Sequence, residues 1–90
     1  MEITVTERFR TDVLAMETSE KVYDHIMKTI QETLPTIPTI GNNDLPVSIS
    51  EKFGENVRRV FVRPFLIIYE YDEAAQKVYV YGLMHERQVY

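Results

Sequence analysis

Two different spacings of apolar residues predict the first strand and the first helix. Residues 2–6 alternate polar and β-branched apolar side chains, which predicts a strand with one buried face. Farther on, Phe9, Val13 and Leu14 fall on one face of a helical projection, so residues 7–16 are predicted to form a short helix. The chain is therefore expected to begin as a strand that leads directly into a helix.

A second and longer helix is predicted by an apolar residue at every fourth position. The repeating residues are Val22, Ile26, Ile30 and Leu34. Thr6 is a typical N-cap for the first helix, and either Thr18 or Ser19 can cap the second. We expect the second helix to end before Pro35, because a proline disfavours helical backbone in the residue that precedes it. The two helices are expected to pack together on one face of the rest of the protein.

The second half of the chain is rich in β-branched and aromatic residues and predicts a sheet. Prolines, a glycine and asparagines make residues 35–46 a loop, and residues 47–50 are a candidate for one more short strand. The main strands are predicted over residues 57–63, 65–72 and 78–84. Pro64 indicates a bend, a bulge or an edge position, because proline has no ladder donor. The sum is an α+β protein in which the helices pack on an antiparallel sheet.

Composition narrows the class of protein. Of the 90 residues, 44% are hydrophobic and 11% aromatic, which is enough for one domain, residues 1–90, with one small core. The absence of cysteine excludes disulfides and thiolate metal sites and suits a reducing compartment. The longest apolar run, residues 65–69, is too short to span a membrane, and the first residues do not resemble a signal peptide. We expect a cytoplasmic protein without a membrane segment.

The net charge of -4 counts against extended nucleic-acid binding, because phosphate binding relies on lysine and arginine. The charge is uneven along the chain. Eight acidic residues face four basic ones in residues 1–50, whereas six face six in residues 51–90. A local basic site is therefore compatible with the second half.

The last six residues place an imidazole, a guanidinium and a phenol close together, on His85, Arg87 and Tyr90. Such groups can bind and polarise a phosphate. If residues 78–87 formed one strand, period-two alternation would put on one face Tyr79, Tyr81, Leu83, His85 and Arg87. By the same rule, a shared face is expected for Arg59, Phe61 and Arg63.

These residues also have structural interpretations. His85 can be a hydrogen-bonding residue at a strand end, Arg87 can pair with Glu70 or Glu86, and Tyr90 can be packing. Alternating aromatic residues are more typical of cross-strand packing than of a base-stacking platform, and this applies to Tyr69, Tyr71, Tyr79 and Tyr81. The two histidines have no third credible ligand nearby in the sequence, so we expect neither a metal nor another cofactor.

The ordered set of these features resembles the RelE/ParE toxin superfamily of type II toxin–antitoxin modules, of the plasmid stabilisation type. The residues that carry the resemblance are Arg58-Arg59, Ile67-Ile68-Tyr69-Glu70, Asp72, Val78-Tyr79-Val80 and His85-Glu86-Arg87-Gln88-Val89-Tyr90. The resemblance implies an N-terminal strand and a two-helix hairpin packed on a twisted antiparallel sheet. It also implies a cognate antitoxin as partner, for which exposed apolar helix residues such as Tyr23 and Met27 are candidate contacts.

RelE-like members enter the ribosomal A site and cut mRNA, so the resemblance implies a ribosome-dependent endoribonuclease, or mRNA interferase, that acts without a metal. On this interpretation His85 takes part in proton transfer, Arg87 binds the scissile phosphate, and Tyr90 stacks on a base or steers the 2′-hydroxyl nucleophile. Arg59 and Arg63 would hold flanking phosphates.

Two other activities fit the same resemblance. ParE-like members inhibit DNA gyrase, and a degenerate member would mainly bind its antitoxin. Leu66 stands where many members carry an arginine that contributes to phosphate binding in the nucleases. This departure and the acidic balance weaken the nuclease interpretation more than the gyrase one, because protein–protein recognition does not need a basic active site.

Overall fold

The computed structural model describes residues 1–89. In chain order the elements are β1 Glu2–Val5, α1 Glu7–Ala15, α2 Glu20–Lys28, a π-helical turn Thr29–Thr33, α3 Leu34–Thr36, α4 Val47–Phe53, β2 Arg58–Val62, β3 Phe65–Asp72, β4 Lys77–His85 and α5 Glu86–Val89. As predicted, the hydroxyl of Thr6 caps α1 by accepting the N–H of Phe9. Ser19 caps α2 by accepting the N–H of Val22. None of the helices within residues 1–89 is long and apolar enough to cross a membrane.

The second helix passes Pro35, so the prediction that it ends before this residue was wrong. Helical backbone continues from α2 through the π-helical turn into α3, which includes Pro35 in its first turn. Proline has no N–H for the intrahelical ladder, and it lies directly after the π-helical turn, whose bonds interrupt the regular α-helical pattern at this point.

A four-stranded sheet with the order β1-β4-β3-β2 forms the centre of the molecule. The β2–β3 and β3–β4 pairs are antiparallel, as predicted, whereas β1 runs parallel to β4 at one edge. The chain between β1 and β2 therefore crosses from one edge of the sheet to the other, and the helices α1 to α4 lie in this connection.

Both faces of the sheet carry a hydrophobic cluster. On the helix-hairpin face the cluster includes Phe9, Ile26, Ile30, Leu34, Ile67, Tyr69, Val78 and Val80. On the opposite face, which we call the α4–α5 face, it comprises Ile49, Val57, Leu66, Ile68, Met84 and Val89. Residues 47–50 belong to α4, and the prediction of a strand there was wrong. Ile49 belongs to this cluster, and Phe53, one helical turn farther on, packs against it. A segment of four residues is too short to show this helical period in the sequence.

A β-bulge in β4 reverses the side-chain alternation along this strand. Ile68 pairs with Gly82 and Tyr69 with Val80, which leaves Tyr81 as an extra residue. After the bulge Leu83 joins the helix-hairpin cluster. The predicted common face for Tyr79, Tyr81, Leu83, His85 and Arg87 was therefore wrong, also because β4 ends at His85 and Arg87 lies in α5.

The first helix occupies the edge of β4 beside this bulge. The Thr6 hydroxyl donates to the carbonyl of Val80 at 2.8 Å, and the N–H of Leu83 donates to Oδ2 of Asp12 at 3.1 Å. The side chain of Asp12 thus satisfies a backbone N–H that β1, which ends at Val5, does not reach, and the Thr6 hydroxyl adds to the bond that its own N–H donates to the carbonyl of Val80 at 3.1 Å. Gly82 permits the close packing here, because a Cβ atom on it would lie 2.6 Å from the Phe53 ring.

Candidate functional site

The strand β4 passes directly into α5, and every backbone N–H at this junction has a partner. The N–H of His85 donates to Oε1 of Gln88 at 2.8 Å, and the N–H of Arg87 donates to Nδ1 of His85 at 3.1 Å. Between them, the N–H of Glu86 donates to the carbonyl of Pro64 at 2.9 Å. His85 is therefore the N-cap of α5. The side chain of Gln88, at the third helical position, accepts the N–H of this N-cap residue, as in a capping box.

The far end of α5 is fixed as well. The side chain of Val89 is buried in the cluster of the α4–α5 face, and the hydroxyl of Ser48 donates to the carbonyl of Val89 at 3.2 Å. The short helix thus has contacts at both ends, which gives the residues of the candidate site a defined position.

A shallow groove of about 380 Å³ lies beside this junction, and we call it the His85 groove. It is lined by Met16, Glu17, Phe65, His85, Arg87 and Gln88. The ring of His85 meets the ring of Phe65 edge-on, with 5.4 Å between centroids and 84° between planes. Two of the three predicted catalytic residues, His85 and Arg87, are therefore neighbours in one groove.

Arg87 and Arg63 differ in whether a carboxylate lies next to the guanidinium. Arg87 is exposed, and among residues 1–89 no carboxylate lies within ion-pair distance of its guanidinium. Of its two expected partners, Glu86 pairs instead with Arg63, and Glu70 accepts a hydrogen bond from the hydroxyl of Tyr81 at 3.4 Å. The His85 groove therefore contains a cation with capacity for an anionic ligand, next to the carboxylate of Glu17.

The predicted phosphate-binding residues Arg59 and Arg63 do not join this groove. Both guanidiniums lie over the ring of Phe61, at 5.6 and 4.6 Å from its centroid, which agrees with the predicted common face of these three residues. Phe61 pairs with Leu66 across the strands, and Leu66 belongs to the cluster of the α4–α5 face. His85 pairs with Phe65, which belongs to the helix-hairpin cluster. Arg59 thus lies on the face of the sheet opposite the His85 groove, whereas Arg63 follows the end of β2 and pairs with Glu86; neither arginine lines the groove.

Two further positions that the sequence analysis singled out are Tyr90 and Leu66. Tyr90 lies outside the residues that the structure describes, so its assigned role stays a prediction. Leu66 is 0% exposed, beneath α4 and α5, so the position that carries an arginine in many members of the resembled family is part of a hydrophobic core here.

The tyrosines of β3 and β4 have individual structural contacts. Tyr69 is fully buried; its hydroxyl donates to the carbonyl of Pro38 and accepts the N–H of Gly41, both at 2.8 Å. Burial raises the pKa of the Tyr69 hydroxyl above its usual value. Tyr79 and Tyr81 stack on each other with 6.2 Å between ring centroids, and burial also raises the pKa of Tyr81. These contacts, together with the packing of Tyr71 against the helix-hairpin cluster, fit the packing interpretation of the four tyrosines.

Four residues of the groove, Met16, Glu17, Phe65 and Gln88, were not predicted as functional from the sequence. Gln88 could have been found, because a glutamine three residues after a cap candidate is the signature of a capping box. Met16 and Glu17 carry no such signal; the packing of α1 against β4 brings them to the groove. Within residues 1–89 no group of three or more histidine, aspartate or glutamate side chains is placed to hold a metal ion.

A second groove, of about 390 Å³, lies between α1, α2 and the end of β1 and is mainly apolar. We call it the helix groove; it is lined by Val5, Phe9, Arg10, Val13, Leu14, Tyr23 and Met27. It includes the two residues, Tyr23 and Met27, that were expected to contact a partner. Leu14 is 87% exposed at its rim, because the apolar stripe of α1 is wider than the surface it covers.

Comparisons with known proteins bear on the fold. No protein-family model and no curated protein sequence matches this chain. A chain in the crystal structure of the toxin–antitoxin complex RelBE2 from Mycobacterium tuberculosis is similar to it, with a TM-score of 0.71 and 13% sequence identity. The similarity covers 93% of this chain and 95% of that chain. The protein therefore shares the fold of that chain, a RelE-type fold, and the predicted α+β architecture is confirmed.

Proposed function

We propose that this protein is the toxin of a type II toxin–antitoxin module and that it cleaves mRNA on the ribosome, with His85 and Arg87 at the reacting phosphate. The observation that carries the proposal is their placement in one groove of a RelE-type fold. Arg87 supplies a positive charge that no carboxylate of residues 1–89 neutralises, and His85 supplies a ring nitrogen for hydrogen bonding or proton transfer.

The reaction that fits these groups uses the RNA itself as nucleophile. The 2′-oxygen loses its proton to water and attacks the adjacent phosphorus, the bond from phosphorus to the 5′-oxygen breaks, and that oxygen takes up a proton from water. The products are a 2′,3′-cyclic phosphate and a 5′-hydroxyl end. Negative charge grows on the phosphate oxygens during the attack, and the fork of Arg87 donors would stabilise it through charge-assisted hydrogen bonds.

The proposed partner is an antitoxin that covers the helix groove. The similar solved structure is a toxin–antitoxin complex. In this chain the exposed side chain of Leu14 and the rings and thioethers around it form an apolar surface that suits the apolar face of a partner helix. A short reading frame next to the gene that encodes a DNA-binding protein would identify the candidate antitoxin.

The central experiment replaces His85 and maps mRNA 5′ ends after a short pulse of expression. His85→Asn keeps a good N-cap side chain but has no imidazole, so α5 should stay in place. We expect the wild-type protein to arrest growth and create new 5′ ends within translated messages. Cleavage should fall about a hundredfold or more in His85→Asn, the usual contribution of one positioned group at the reacting phosphate.

The matched control is His25→Asn, which changes the other histidine, exposed on α2. This variant should cleave like the wild type. Both variants should unfold at the same urea concentration as the wild type and bind the antitoxin. Undiminished cleavage by folded His85→Asn would refute the assigned role of His85.

A protein-binding toxin of the gyrase-inhibiting kind is the second candidate. The observation in its favour is that Leu66 is buried and Arg63 is neutralised by Glu86, so the basic surface available to RNA is small. It predicts that purified gyrase loses supercoiling activity at saturating protein while expression creates no new mRNA ends. The two measurements together separate the candidates.

A further inference from the structure

The junction of β4 and α5 contains two hydrogen bonds in which His85 takes part. Its backbone N–H donates to Oε1 of Gln88, and its Nδ1 accepts the backbone N–H of Arg87. The side chain of Gln88 thus caps the backbone of His85, and the side chain of His85 caps the backbone of Arg87 at the second helical position, an arrangement similar to a capping box with histidine in the place of serine or threonine. The box fixes both the position of the imidazole and the orientation of its Nδ1 toward the helix.

The bond to Nδ1 determines where the proton of a neutral imidazole is located. A nitrogen that accepts a hydrogen bond must present a lone pair, so Nδ1 carries no proton while the cap is formed. The neutral ring has one N–H, which must then be on Nε2. Nε2 lies on the side of the ring away from the cap, and no group of residues 1–89 makes a hydrogen bond with it.

We propose that Gln88 is a positioning residue which, through this capping box, holds neutral His85 in the Nε2–H tautomer, so that His85 presents a hydrogen-bond donor to a phosphate oxygen in the His85 groove. The second part rests on the proposed function, whereas the tautomer follows from the cap alone. In this form His85 cannot remove the 2′-hydroxyl proton through Nε2. It acts beside Arg87 by donating a hydrogen bond to the phosphate as negative charge grows there.

The same geometry constrains proton donation. The imidazolium form carries protons on both nitrogens, so Nδ1–H would face the N–H of Arg87 and the cap would be lost. An intact cap and a charged ring are therefore mutually exclusive at this junction. The charged groups that line the groove next to the ring are Glu17 and Arg87.

The first test measures the tautomer by NMR. In ¹⁵N-labelled protein at a pH where the ring is neutral, long-range ¹H–¹⁵N correlations distinguish Nε2–H from Nδ1–H for each histidine. We expect His85 to be in the Nε2–H form and the exposed His25, which serves as an internal reference, to show averaged tautomers. Gln88→Met keeps the length of the side chain but removes the accepting oxygen. It should shift the His85 tautomer ratio about fivefold toward Nδ1–H, the usual effect of one hydrogen bond.

The second test is rescue. Gln88→Glu restores an acceptor of the kind found in capping boxes and should return the tautomer to Nε2–H, with cleavage recovering in parallel. Gln88 is exposed, so these variants should remain folded. An Nδ1–H form of wild-type His85, or an unchanged ratio in Gln88→Met, would overturn the inference. The spectrum reports the tautomer whether or not the protein cuts RNA, so a failure of the proposed function is seen separately, as an absence of new mRNA ends.

Discussion

Arginines on the two faces of the sheet differ in what holds them. On the α4–α5 face, Arg63 pairs with Glu86, Nε of Arg59 donates to the carbonyl of Asp44 at 3.1 Å, and both cations lie over Phe61. In the His85 groove, Arg87 is exposed and has no carboxylate of residues 1–89 within ion-pair distance. The number of basic residues in the second half of the chain therefore does not define a phosphate site. Their partners do.

The faces also differ in how completely they are covered. α4 and α5 bury Leu66 on one face, whereas on the other the residues around His85 leave an open groove. The position at which the resembled family commonly carries a phosphate-binding arginine is thus used here for packing. This contrast places the proposed chemistry on the side of His85.

The largest expected effect comes from Leu66→Arg. The substitution places an unpaired guanidinium in a fully buried site, so we expect it to lower the free energy of unfolding by about 4 kcal/mol. It should not increase RNA cleavage. Urea unfolding followed by circular dichroism measures the change. Leu14→Arg is the matched control, because it makes the same replacement at a residue that is 87% exposed, and it should change stability by less than about 0.5 kcal/mol.

The next effect separates the two groups of arginines by activity. Arg87→Ala should lower the cleavage rate of ribosome-bound mRNA about a hundredfold, because it removes the donors that face the growing charge. Arg63→Ala should lower it less than about threefold. It should cost less than about 1 kcal/mol of stability, since its ion pair is on a side chain that is 71% exposed. Equal losses of activity in the two variants would contradict the division of the site by the sheet.

The smallest effect tests how the loop between α3 and α4 is held on the helix-hairpin face. Tyr69→Phe removes the donor to Pro38 and leaves the N–H of Gly41 without its acceptor, which should cost about 1–3 kcal/mol of unfolding free energy at pH 7. Tyr71→Phe, whose hydroxyl accepts a hydrogen bond from Gln76 at 3.2 Å outside the core, is the control and should cost less.

This effect depends on pH with a defined sign. Burial raises the pKa of Tyr69 in the folded state above the value of about 10 expected in the unfolded chain. Its protonated form therefore stabilises the fold fully below about pH 10, and this contribution is lost as the pH rises through the folded-state pKa. Unfolding measured from pH 8 to pH 12 should show the difference between the wild type and Tyr69→Phe shrinking above pH 10. A difference that grows with pH would contradict it.

Much of the fold could be predicted because it depends on local spacing. Apolar period and capping residues identified β1, α1 and α2, with Thr6 and Ser19 at the helix starts. The ordered residues of the second half indicated the RelE-type fold that the structure has. The prediction of a strand over Val47 to Ser50 was wrong, because four residues contain too little of either period to separate strand from helix.

What the sequence determined by itself is the set of elements and the residue types available for chemistry; the tertiary structure decided which of those residues meet. One extra residue at Tyr81 reverses the alternation of β4, and the bulge depends on contacts with distant parts of the chain, at Asp12 and Phe53. That reversal turns His85 toward Phe65 and the helix-hairpin face, while Arg59 and Arg63 remain on the other. Alternation is a local rule, but the position of a bulge is set by packing between elements that are far apart in the chain.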